Sequence, residues 1–213
     1  MTAPPDFDAG FRDAFATLVA WRRDVRRFRP DPVPEADLRD CLALACLSPS
    51  VGNSQPWRFV RVADPARREA VVDSFARCNA AAAASYPDAR ADAYRRLKLA
   101  GLREAPVHLA VLCDEATGDG HGLGRATMPE MLRYSVVTAI HTLWLAARCR
   151  GIGVGWVSIL DPDAVVARLD VPGSWRLVAY LCLGYPAEEH DDPELVRHGW
   201  QARRAPEDLM LDR

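Results

Sequence analysis

The sequence predicts a single domain of the α/β or α+β class, in which strands and helices follow one another loosely. Its 213 residues are enough for one larger domain with a buried core. Hydrophobic residues make up 49% and charged residues 26%, as in ordinary globular proteins. The apolar residues recur with helical spacing in some segments and with strand spacing in others, and no internal repeat or linker divides them.

The N-terminal part is predicted to contain two helices. The first follows Asp8, and its apolar residues at helical spacing are Phe11, Phe15, Leu18 and Val19. After the proline-rich break "RPDPVP", a second helix begins at about Glu35, and its buried face is Leu38, Leu42 and Ala45. This helix ends at "SPSVGNSQP", a loop rich in turn-forming residues.

In the middle of the chain, strands and helices alternate. "WRFVRV", residues 57–62, has the alternation of a strand, and a helix follows over about 65–77. Residues 79–104 combine an alanine run with arginine-rich helical spacing, and we predict a helical excursion that could act as a lid. "VHLAVLC", residues 107–113, is a predicted strand, and the glycine-rich "TGDGHGLGR" after it is a predicted flexible loop.

The C-terminal part begins with the strongest helical periodicity of the chain, over residues 129–150. Two strands are predicted at 152–160 and 175–185. Asp161 and Pro162 between them favour the start of a short helix. The remaining tail, about 186–213, is polar and is predicted to be extended.

The charge and the cysteine pattern argue against several functional classes. A net charge of −2 gives no general field that attracts nucleic acid or an anionic membrane. No apolar run approaches the ~20 residues that cross a bilayer, and the first residues lack the features of a signal peptide. The six cysteines form no CxxC pair, which favours reduced thiols. We therefore expect a cytoplasmic protein without nucleic-acid or membrane partners.

Common nucleotide and metal motifs are incomplete in this sequence. Leu123 and Trp156 stand at the third glycine position of two near matches to GxGxxG, which argues against a Rossmann site. The sequence has no GxxxxGK[ST], HExxH or GxSxG motif, and its histidines do not pair with cysteines at metal-ligand spacing. No metal site is predicted.

The stretch "WRRDVRRFRP", residues 21–30, is the first candidate site. On a helix, Arg22 and Arg26 would share one face with Arg23 beside them, and guanidinium groups placed in this way can grip a phosphate. Asp24 lies among them, although a carboxylate repels a phosphate dianion and has no proton to donate at neutral pH. A solvated basic face or a nucleic-acid patch is the alternative interpretation of these arginines.

Two further stretches contain candidate residues. The loop "SPSVGNSQPWRF" offers donors and acceptors for a polar heterocycle or a sugar chain from Ser50, Asn53, Ser54 and Gln55. A plain turn is the alternative there. The strand "GVGWVSI" has glycines that permit close backbone approach and one hydroxyl, Ser158, which could instead simply bond to backbone.

Together and in this order, "RRDVRRF", "SPSVGNSQPWRF", "GVGWVSIL" and "LCLGYP" resemble the FMN-dependent nitroreductase superfamily over nearly the whole chain. The resemblance implies an α+β fold with a central mixed sheet flanked by helices. It also implies an intertwined homodimer with exchanged terminal segments and with FMN at the dimer interface.

The resemblance further implies which residues bind the cofactor. The arginine motif would hold the FMN phosphate and ribityl chain, and its members are Arg22, Arg23, Asp24, Val25 and Arg26. The flavin would be lined by Ser50, Asn53, Ser54 and Gln55, with Gly155 and Trp156 approaching the ring. Arg203 in "GWQARR" would reach the phosphate, with Arg204 as the rival for that role.

Asp24 distinguishes branches of this superfamily, because nitroreductases generally have a small hydroxyl residue at its position. "RRDVR" together with "GWVSI" resembles the BluB branch, the 5,6-dimethylbenzimidazole synthases, whereas Asn53 is typical of ordinary nitroreductases. That branch implies that reduced FMN is the substrate as well as the bound flavin. Reaction with O2 would fragment it to 5,6-dimethylbenzimidazole, the lower ligand of vitamin B12, and erythrose 4-phosphate.

On this interpretation Asp24 and Ser158 are the catalytic residues. Asp24 would be the acid/base group, with a pKa that burial would raise and the arginines would lower. Ser158 would bond near the reacting edge of the ring, and a separate flavin reductase would supply reduced FMN. The alternatives are an NAD(P)H-dependent nitroreductase or flavin reductase that retains its FMN, and a non-catalytic flavin-binding module.

Overall fold

The computed structural model describes residues 3–213, with seven α-helices and four β-strands in that range. The helices are α1 (Ala9–Trp21), α2 (Glu35–Ala45), α3 (Pro65–Ala84), α4 (Asp88–Arg95), α5 (Met131–Arg148), α6 (Pro162–Leu169) and α7 (Glu194–Arg197). The strands are β1 (Trp57–Arg61), β2 (Val107–Asp114), β3 (Gly153–Val157) and β4 (Trp175–Gly184). Single 3₁₀ turns occur at Val51–Asn53, Asp119–Gly122 and Pro206–Leu209.

The four strands form one sheet in the order β1-β2-β4-β3. All three strand pairs are antiparallel, and a bulge between Val111 and Leu112 shifts the register of β2 against β4. Within residues 3–213, parallel pairing is confined to an isolated bridge between Asp24 and Val154. The sheet is therefore antiparallel apart from this bridge, which extends its β3 edge, whereas a mixed sheet is expected from the sequence.

The sheet is covered by helices on both faces, as the alternation of β2 shows. Val107, Leu109 and Val111 pack into one cluster with residues of α2 and α5. Ala110 and Leu112 point the other way, into a second cluster with residues of α3 and α6. Because successive side chains of a strand face opposite sides, one strand joins both cores. This arrangement confirms the α+β class.

Local capping explains several helix starts. Asp8, Asp64 and Asp161 each accept a hydrogen bond from the backbone N–H three residues later, which satisfies a donor that a helix start leaves free. The predicted start of α6 at Asp161–Pro162 is thereby confirmed. The same cap explains why β3 stops at Val157 and not at 160, because the chain must turn before Asp161.

Two segments differ from their predicted form. α3 continues to Ala84, beyond the predicted end at 77, and α4 follows after a short break. The tail is not extended throughout, because Glu194 begins the short helix α7, which ends at Arg197 and is followed by Gly199 with φ +66°. An acidic residue in the first turn favours a helix start, and glycine tolerates the left-handed conformation that ends one.

Two further features concern membrane-spanning helices and clusters of metal-binding side chains. In residues 3–213 no helix combines the length and the apolarity needed to cross a membrane. In the same range no group of three or more metal-binding side chains comes together.

Candidate functional site

Residues 22–27, which contain the arginine motif, are not helical. α1 ends at Trp21, and Arg22 already has extended backbone angles (φ −70°, ψ 113°). The chain then follows the β3 edge, where the Val25 N–H donates to the Val154 carbonyl at 3.1 Å. The expectation that Arg22 and Arg26 share a helix face is therefore wrong, because pairing with β3 replaces the last helical turn.

Gly155 permits this close approach of the motif to β3. A Cβ atom at Gly155 would lie 2.1 Å from the carbonyl oxygen of Val25, and one at Gly153 would lie 2.6 Å from the Val25 side chain. The resemblance implies that Gly155 approaches the flavin ring, which stays a prediction; the structure shows that the motif fills the side of Gly155 on which a Cβ atom would lie. Val25 packs directly on β3 at Gly155. Because Asp24 precedes Val25 in the chain, Gly155 thus positions Asp24.

Asp24 is held by two donors. Its Oδ1 accepts the Trp156 N–H at 2.8 Å, and its Oδ2 accepts from Arg26 Nε at 2.9 Å. Burial raises the pKa of Asp24 above its ordinary value, although the charge of Arg26 and the Trp156 N–H act in the opposite direction. About a third of the side chain, 32%, stays exposed. The carboxyl group is thus fixed, more basic than usual, and still accessible.

Arg22 and Arg23 lie beside Asp24 in sequence, and together with Arg203 of the tail they are called the arginine cluster below. Burial lowers the pKa of Arg22 and of Arg23, and the positive charge of Arg203 lowers both further. Arg23 Nε is buried and has no hydrogen-bond partner in the described part of the chain. Arg203 is exposed. The cluster therefore combines positive charge with a buried N–H that has no partner among the described residues.

Trp144 supports this cluster, which the sequence did not indicate because the residue lies within the apolar periodicity of α5. Its Nε1 donates to the Arg23 carbonyl at 3.1 Å, and the Arg22 guanidinium lies 4.7 Å from the centre of its ring. The ring of Trp156 is 6.4 Å away. A buried indole on α5 thus fixes the backbone of the motif and stacks against one of its cations.

Arg26 and Arg27 have other partners. Arg26 binds Asp24 and donates from Nη1 to the Lys98 carbonyl at 3.0 Å. Arg27 Nη1 binds Glu194 at 2.9 Å and Glu188 at 3.1 Å, so acidic residues of the tail cover this side of the motif. Of the arginines predicted to hold phosphate, Arg22 and Arg23 join the cluster, and Arg26 instead anchors Asp24.

The polar loop, residues 50–55, has an unusual backbone. Gly52, Asn53 and Gln55 all have positive φ (58°, 56° and 43°), which for Asn and Gln marks a conformation held by its surroundings. Ser50 Oγ accepts the Gln55 N–H at 3.0 Å. Ser54 Oγ is buried and finds no hydrogen-bond partner among residues 3–213.

The glycine-rich segment 117–125 packs against the polar loop. A Cβ atom at Gly120 would lie 2.7 Å from the Gly52 carbonyl oxygen, and one at Gly52 would lie 2.9 Å from the Leu123 carbonyl. Only glycine at both places allows two backbones to approach in this way. The predicted flexible loop therefore has a defined partner in the structure.

Within one chain the polar loop and the arginine motif lie at different places along α5. The loop is tied to Ser135, whose Oγ accepts the Val51 N–H at 3.0 Å, and the motif is tied to Trp144. These two residues are nine positions apart on α5, which corresponds to about 13 Å along the helix. Within a single chain, the predicted flavin contacts of the polar loop are thus separated from those of the arginine motif.

Ser158 follows the end of β3 and is exposed. Its hydroxyl makes no side-chain hydrogen bond to another described residue. Trp156, two residues earlier, is half-buried and holds Asp24 through its N–H. Ser158 therefore lies two residues beyond the N–H that holds Asp24, and no hydrogen bond joins the two side chains.

Known proteins resemble this chain closely. The model of the nitroreductase family matches residues 19–185. The chain is 66% identical over 204 residues to the 5,6-dimethylbenzimidazole synthase of Rhodospirillum rubrum, covering 96% of this chain and 97% of that protein. It is 48% identical to a 5,6-dimethylbenzimidazole synthase of Rhodobacter capsulatus, and the match covers 92% of this chain and 95% of that protein.

A solved structure agrees with the fold. Oxidized iodotyrosine deiodinase bound to FMN and 3-iodo-L-tyrosine has a TM-score of 0.69 to this chain at 27% identity, covering 81% of this chain and 90% of that one. The family model spans most of the sequence, including the arginine motif, the polar loop and all four strands. The chain therefore belongs to the nitroreductase family.

Proposed function

We propose that this protein is a 5,6-dimethylbenzimidazole synthase, which uses O2 to fragment reduced FMN into 5,6-dimethylbenzimidazole and erythrose 4-phosphate. Two nearly full-length relatives have that name, at 66% and 48% identity. The structural observation that supports the proposal most is the position of Asp24. A carboxyl group with a raised pKa lies beside a cluster of arginines that has a free, buried donor.

The side chains of the two candidate regions fit FMN. Three buried side-chain atoms lack a hydrogen-bond partner in the described range, and two of them, Arg23 Nε and Ser54 Oγ, belong to residues predicted to bind the cofactor. A phosphate is attracted by the positive charge of the arginine cluster and can accept a hydrogen bond from its free donor. The polar atoms of the flavin ring offer a partner to Ser54, since unpaired buried polar groups are costly.

Bound reduced FMN would supply the electrons for O2 and the ring atoms of the product. Asp24 would hold a proton at the flavin, since burial raises its pKa towards the working pH and a third of its surface stays accessible. The Trp156 N–H and Arg26 would fix its orientation. Ser158, exposed at the end of β3, would bind at the same edge of the ring.

A homodimer would complete the site. The polar loop and the arginine motif are separated along α5, and a second copy can bring its own loop to the motif of the first. α1 supports this arrangement, because all of its residues are exposed or half-buried, including Phe11 at 52% and Phe15 at 50%. Residues 79–104 would then act as a lid over the flavin, with the whole chain forming one domain.

The remaining participants follow from the same reaction. Reduced FMN must come from elsewhere, and we propose a separate flavin reductase in the cytoplasm as its source. All six cysteines are free thiols in the structure, as the reducing conditions of that compartment require.

One assay tests the proposed function. Purified protein is mixed with reduced FMN without oxygen, air is admitted, and the products are separated by chromatography. The synthase gives 5,6-dimethylbenzimidazole, and the yield falls in Asp24→Asn and Ser158→Gly. Reoxidised FMN alone, with rapid consumption of NAD(P)H, would show a nitroreductase or flavin reductase instead. A protein that forms no 5,6-dimethylbenzimidazole and consumes no NAD(P)H would be a non-catalytic flavin-binding module.

A further inference from the structure

We propose that Glu194 is a positioning residue for Asp24: it shares Arg26 with Asp24, so that Asp24 binds a proton more readily than a carboxylate with an arginine of its own. This inference rests on the proposed function in taking Asp24 as the group that holds a proton at the flavin. It goes beyond that function in naming a residue of the tail, far from Asp24 in sequence, that sets the proton affinity of the site.

Arg26 lies between two carboxylates. Its Nε donates to Asp24 Oδ2 at 2.9 Å, and its Nη1 lies 3.9 Å from Glu194 Oε2. The side chains of Arg26 and Glu194 are only 11% and 9% exposed, so little water screens the charges between them. Asp24 and Glu194 also line the same cavity. One guanidinium group therefore balances the charge of two carboxylates in a poorly hydrated place.

Glu194 has a second arginine as a partner. Arg27 Nη1 donates to Glu194 Oε1 at 2.9 Å, and this hydrogen bond raises the pKa of Arg27. Beyond Arg26, Asp24 accepts the neutral Trp156 N–H at 2.8 Å, and the charge of Arg22 acts on it through space. A proton added to this group of charges is therefore expected at Asp24, because Asp24 has fewer charged hydrogen-bond partners among the described residues.

Most other charged side chains of the cavity are paired with one another. The pairs are Arg148 with Glu189, Arg197 with Asp192, and His190 with Glu188. Arg23 also lines the cavity, and His198 Nε2 lies 3.6 Å from Glu194 Oε1 at a largely exposed position. On the sheet, burial raises the pKa of the Cys182 thiol to about 12, so this group is neutral. The charge that acts on Asp24 most directly is thus that of Arg26.

The tail should keep its place without the charge of Glu194, because Trp200 anchors it a second time. The Trp200 ring lies edge-on to Tyr86 of the lid segment, with centroids 5.5 Å apart. The Trp200 N–H donates to the Leu195 carbonyl at 2.8 Å, which ties this anchor to α7. Glu194→Gln therefore removes a charge, while its amide oxygen can still accept from Arg27.

Removal of the Glu194 charge should lower the pKa of Asp24. Arg26 would then face one carboxylate, and the repulsion between the two negative charges would disappear, so both changes favour the charged form of Asp24. We expect a shift of about 0.5–1 pH unit, as for charges several ångströms apart that are partly shielded from water. Arg27→Gln should act in the opposite direction, because it removes the second cation of Glu194 and leaves more negative charge beside Arg26.

The experiment follows the titration of Asp24 in the ligand-free protein by the NMR signal of its isotope-labelled carboxyl carbon. This signal is assigned by its absence from Asp24→Asn. The midpoint should fall in Glu194→Gln, and Glu194→Asp, which keeps the charge, should restore most of the wild-type value. Glu188→Gln is the matched control, because Glu188 binds the same Arg27 at 3.1 Å with 47% of its side chain exposed. It should change the midpoint little, since an exposed ion pair contributes little.

Arg27→Gln separates this electrostatic effect from a loosened tail. A tail that merely detached would expose Asp24 to water and lower its pKa in both Arg27→Gln and Glu194→Gln. Opposite shifts in the two variants would support the inference. Shifts in the same direction, or an unchanged midpoint in Glu194→Gln, would overturn it and leave the proposed function standing. Opposite shifts in a protein that forms no 5,6-dimethylbenzimidazole would support the inference and contradict the proposed function.

Discussion

Asp24 Oδ2 lies 2.9 Å from Nε of Arg26, two residues further along the same extended stretch. Two hydrogen bonds to a carboxylate normally lower its pKa, and here burial outweighs them. The arginine next to Asp24 in space is thus its anchor. Arg22 and Arg23, which we propose hold the anion, make no side-chain hydrogen bond to Asp24 within the described residues. This division explains how an acidic residue can lie within a cationic motif.

Asp24→Asn should abolish most of the activity and stabilise the fold at neutral pH. The amide oxygen can still accept the Trp156 N–H, but the side chain no longer transfers a proton, and rates should fall about 100-fold or more. For stability the sign follows from linkage. A carboxyl group whose folded pKa is raised favours the folded state at low pH and loses that contribution as the pH rises.

At pH 7 the buried carboxylate is charged and therefore lowers the free energy of unfolding. The amide in Asp24→Asn removes this cost. Product yield by chromatography and thermal unfolding at pH 7 measure the two effects. An Asp24→Asn protein with wild-type turnover would rule out the catalytic role. A lower midpoint than wild type at pH 7 would show that the ion pair with Arg26 outweighs the cost of burial.

Ser54→Ala should separate the two ends of the flavin site. The Ser54 hydroxyl is buried without a partner in the described structure, so its removal should keep or raise the stability of the free protein, by up to about 1 kcal/mol. If the hydroxyl bonds to the flavin ring, the affinities for FMN and riboflavin should fall together. Ser50→Ala is the matched control, because Ser50 Oγ accepts the Gln55 N–H and its loss should lower stability.

These affinities can be measured by fluorescence titration, and stability by urea unfolding. A selective loss of FMN affinity in Ser54→Ala would place the hydroxyl at the phosphate end. Unchanged affinity for both ligands would remove Ser54 from the site.

Gly155→Ala should unfold the protein more easily and reduce activity. The added methyl would lie 2.1 Å from the Val25 carbonyl, and relieving that overlap requires the arginine motif to move off β3. Overpacking of this kind costs about 1–3 kcal/mol. Gly173→Ala is the control, because a Cβ there meets nothing within 4 Å. Thermal unfolding of both variants tests the claim, and equal midpoints for the two would show that the motif tolerates displacement.

The strands and most of the helices could be predicted because local signals agree with the fold. The alternation of 57–62, the apolar run of 107–113 and the cap at Asp161 each act within a few residues. The extended course of Arg22–Arg26 could not be predicted, because it depends on pairing with Val154, 130 positions away in sequence from Asp24. The spacing of the arginines in the sequence contains no information about Val154 as their partner.

The candidate site residues come from a different kind of signal, namely the combined order of the motifs. Arg23, Ser54 and Arg203 are predicted from it, and Arg23 and Ser54 hold two of the three unpartnered buried side-chain atoms in the described range. The tail was harder to predict, since the positions of Glu194 and Trp200 are set by side chains that come from the arginine motif and the lid segment. Long-range ion pairs and aromatic contacts leave no periodic trace in a sequence.

His108 should make stability depend on pH between 4 and 6.5. The side chain is buried at 1% exposure, with Nδ1 3.0 Å from the Tyr180 hydroxyl, and burial lowers its pKa from 6.5 to about 4. Below 6.5 the unfolded chain gains a proton that the folded protein refuses until about pH 4, so stability falls as the pH falls through this window. At 1.36 kcal/mol per pKa unit the loss is about 3 kcal/mol.

His108→Gln keeps an acceptor for Tyr180 and has no titrating group. Its free energy of unfolding, measured in urea at pH 7 and pH 5, should change less than that of the wild type. The same pH dependence in His108→Gln and wild type would assign the effect to another group.

Phe15→Glu should dissociate the proposed homodimer and thereby disrupt the proposed flavin site. Phe11 and Phe15 of α1, together with Phe7 just before the helix, form a stripe with about half of each residue exposed, 52%, 50% and 52%. Burial of one phenylalanine at an interface contributes about 1.5–3 kcal/mol, and a charge at its centre adds a desolvation cost. Light scattering after size exclusion should show a monomer at low micromolar concentration.

The dissociated chain should also bind FMN weakly, because its own polar loop lies about 13 Å along α5 from the place where Trp144 holds the arginine motif. Ala16→Glu adds the same charge one residue further along α1, where the helix faces about 100° away, and should remain dimeric with full affinity. A dimeric Phe15→Glu would exclude the α1 stripe from the interface. A monomer that binds FMN like the wild type would show that one chain builds the whole site, since the affinity would then owe nothing to a second polar loop.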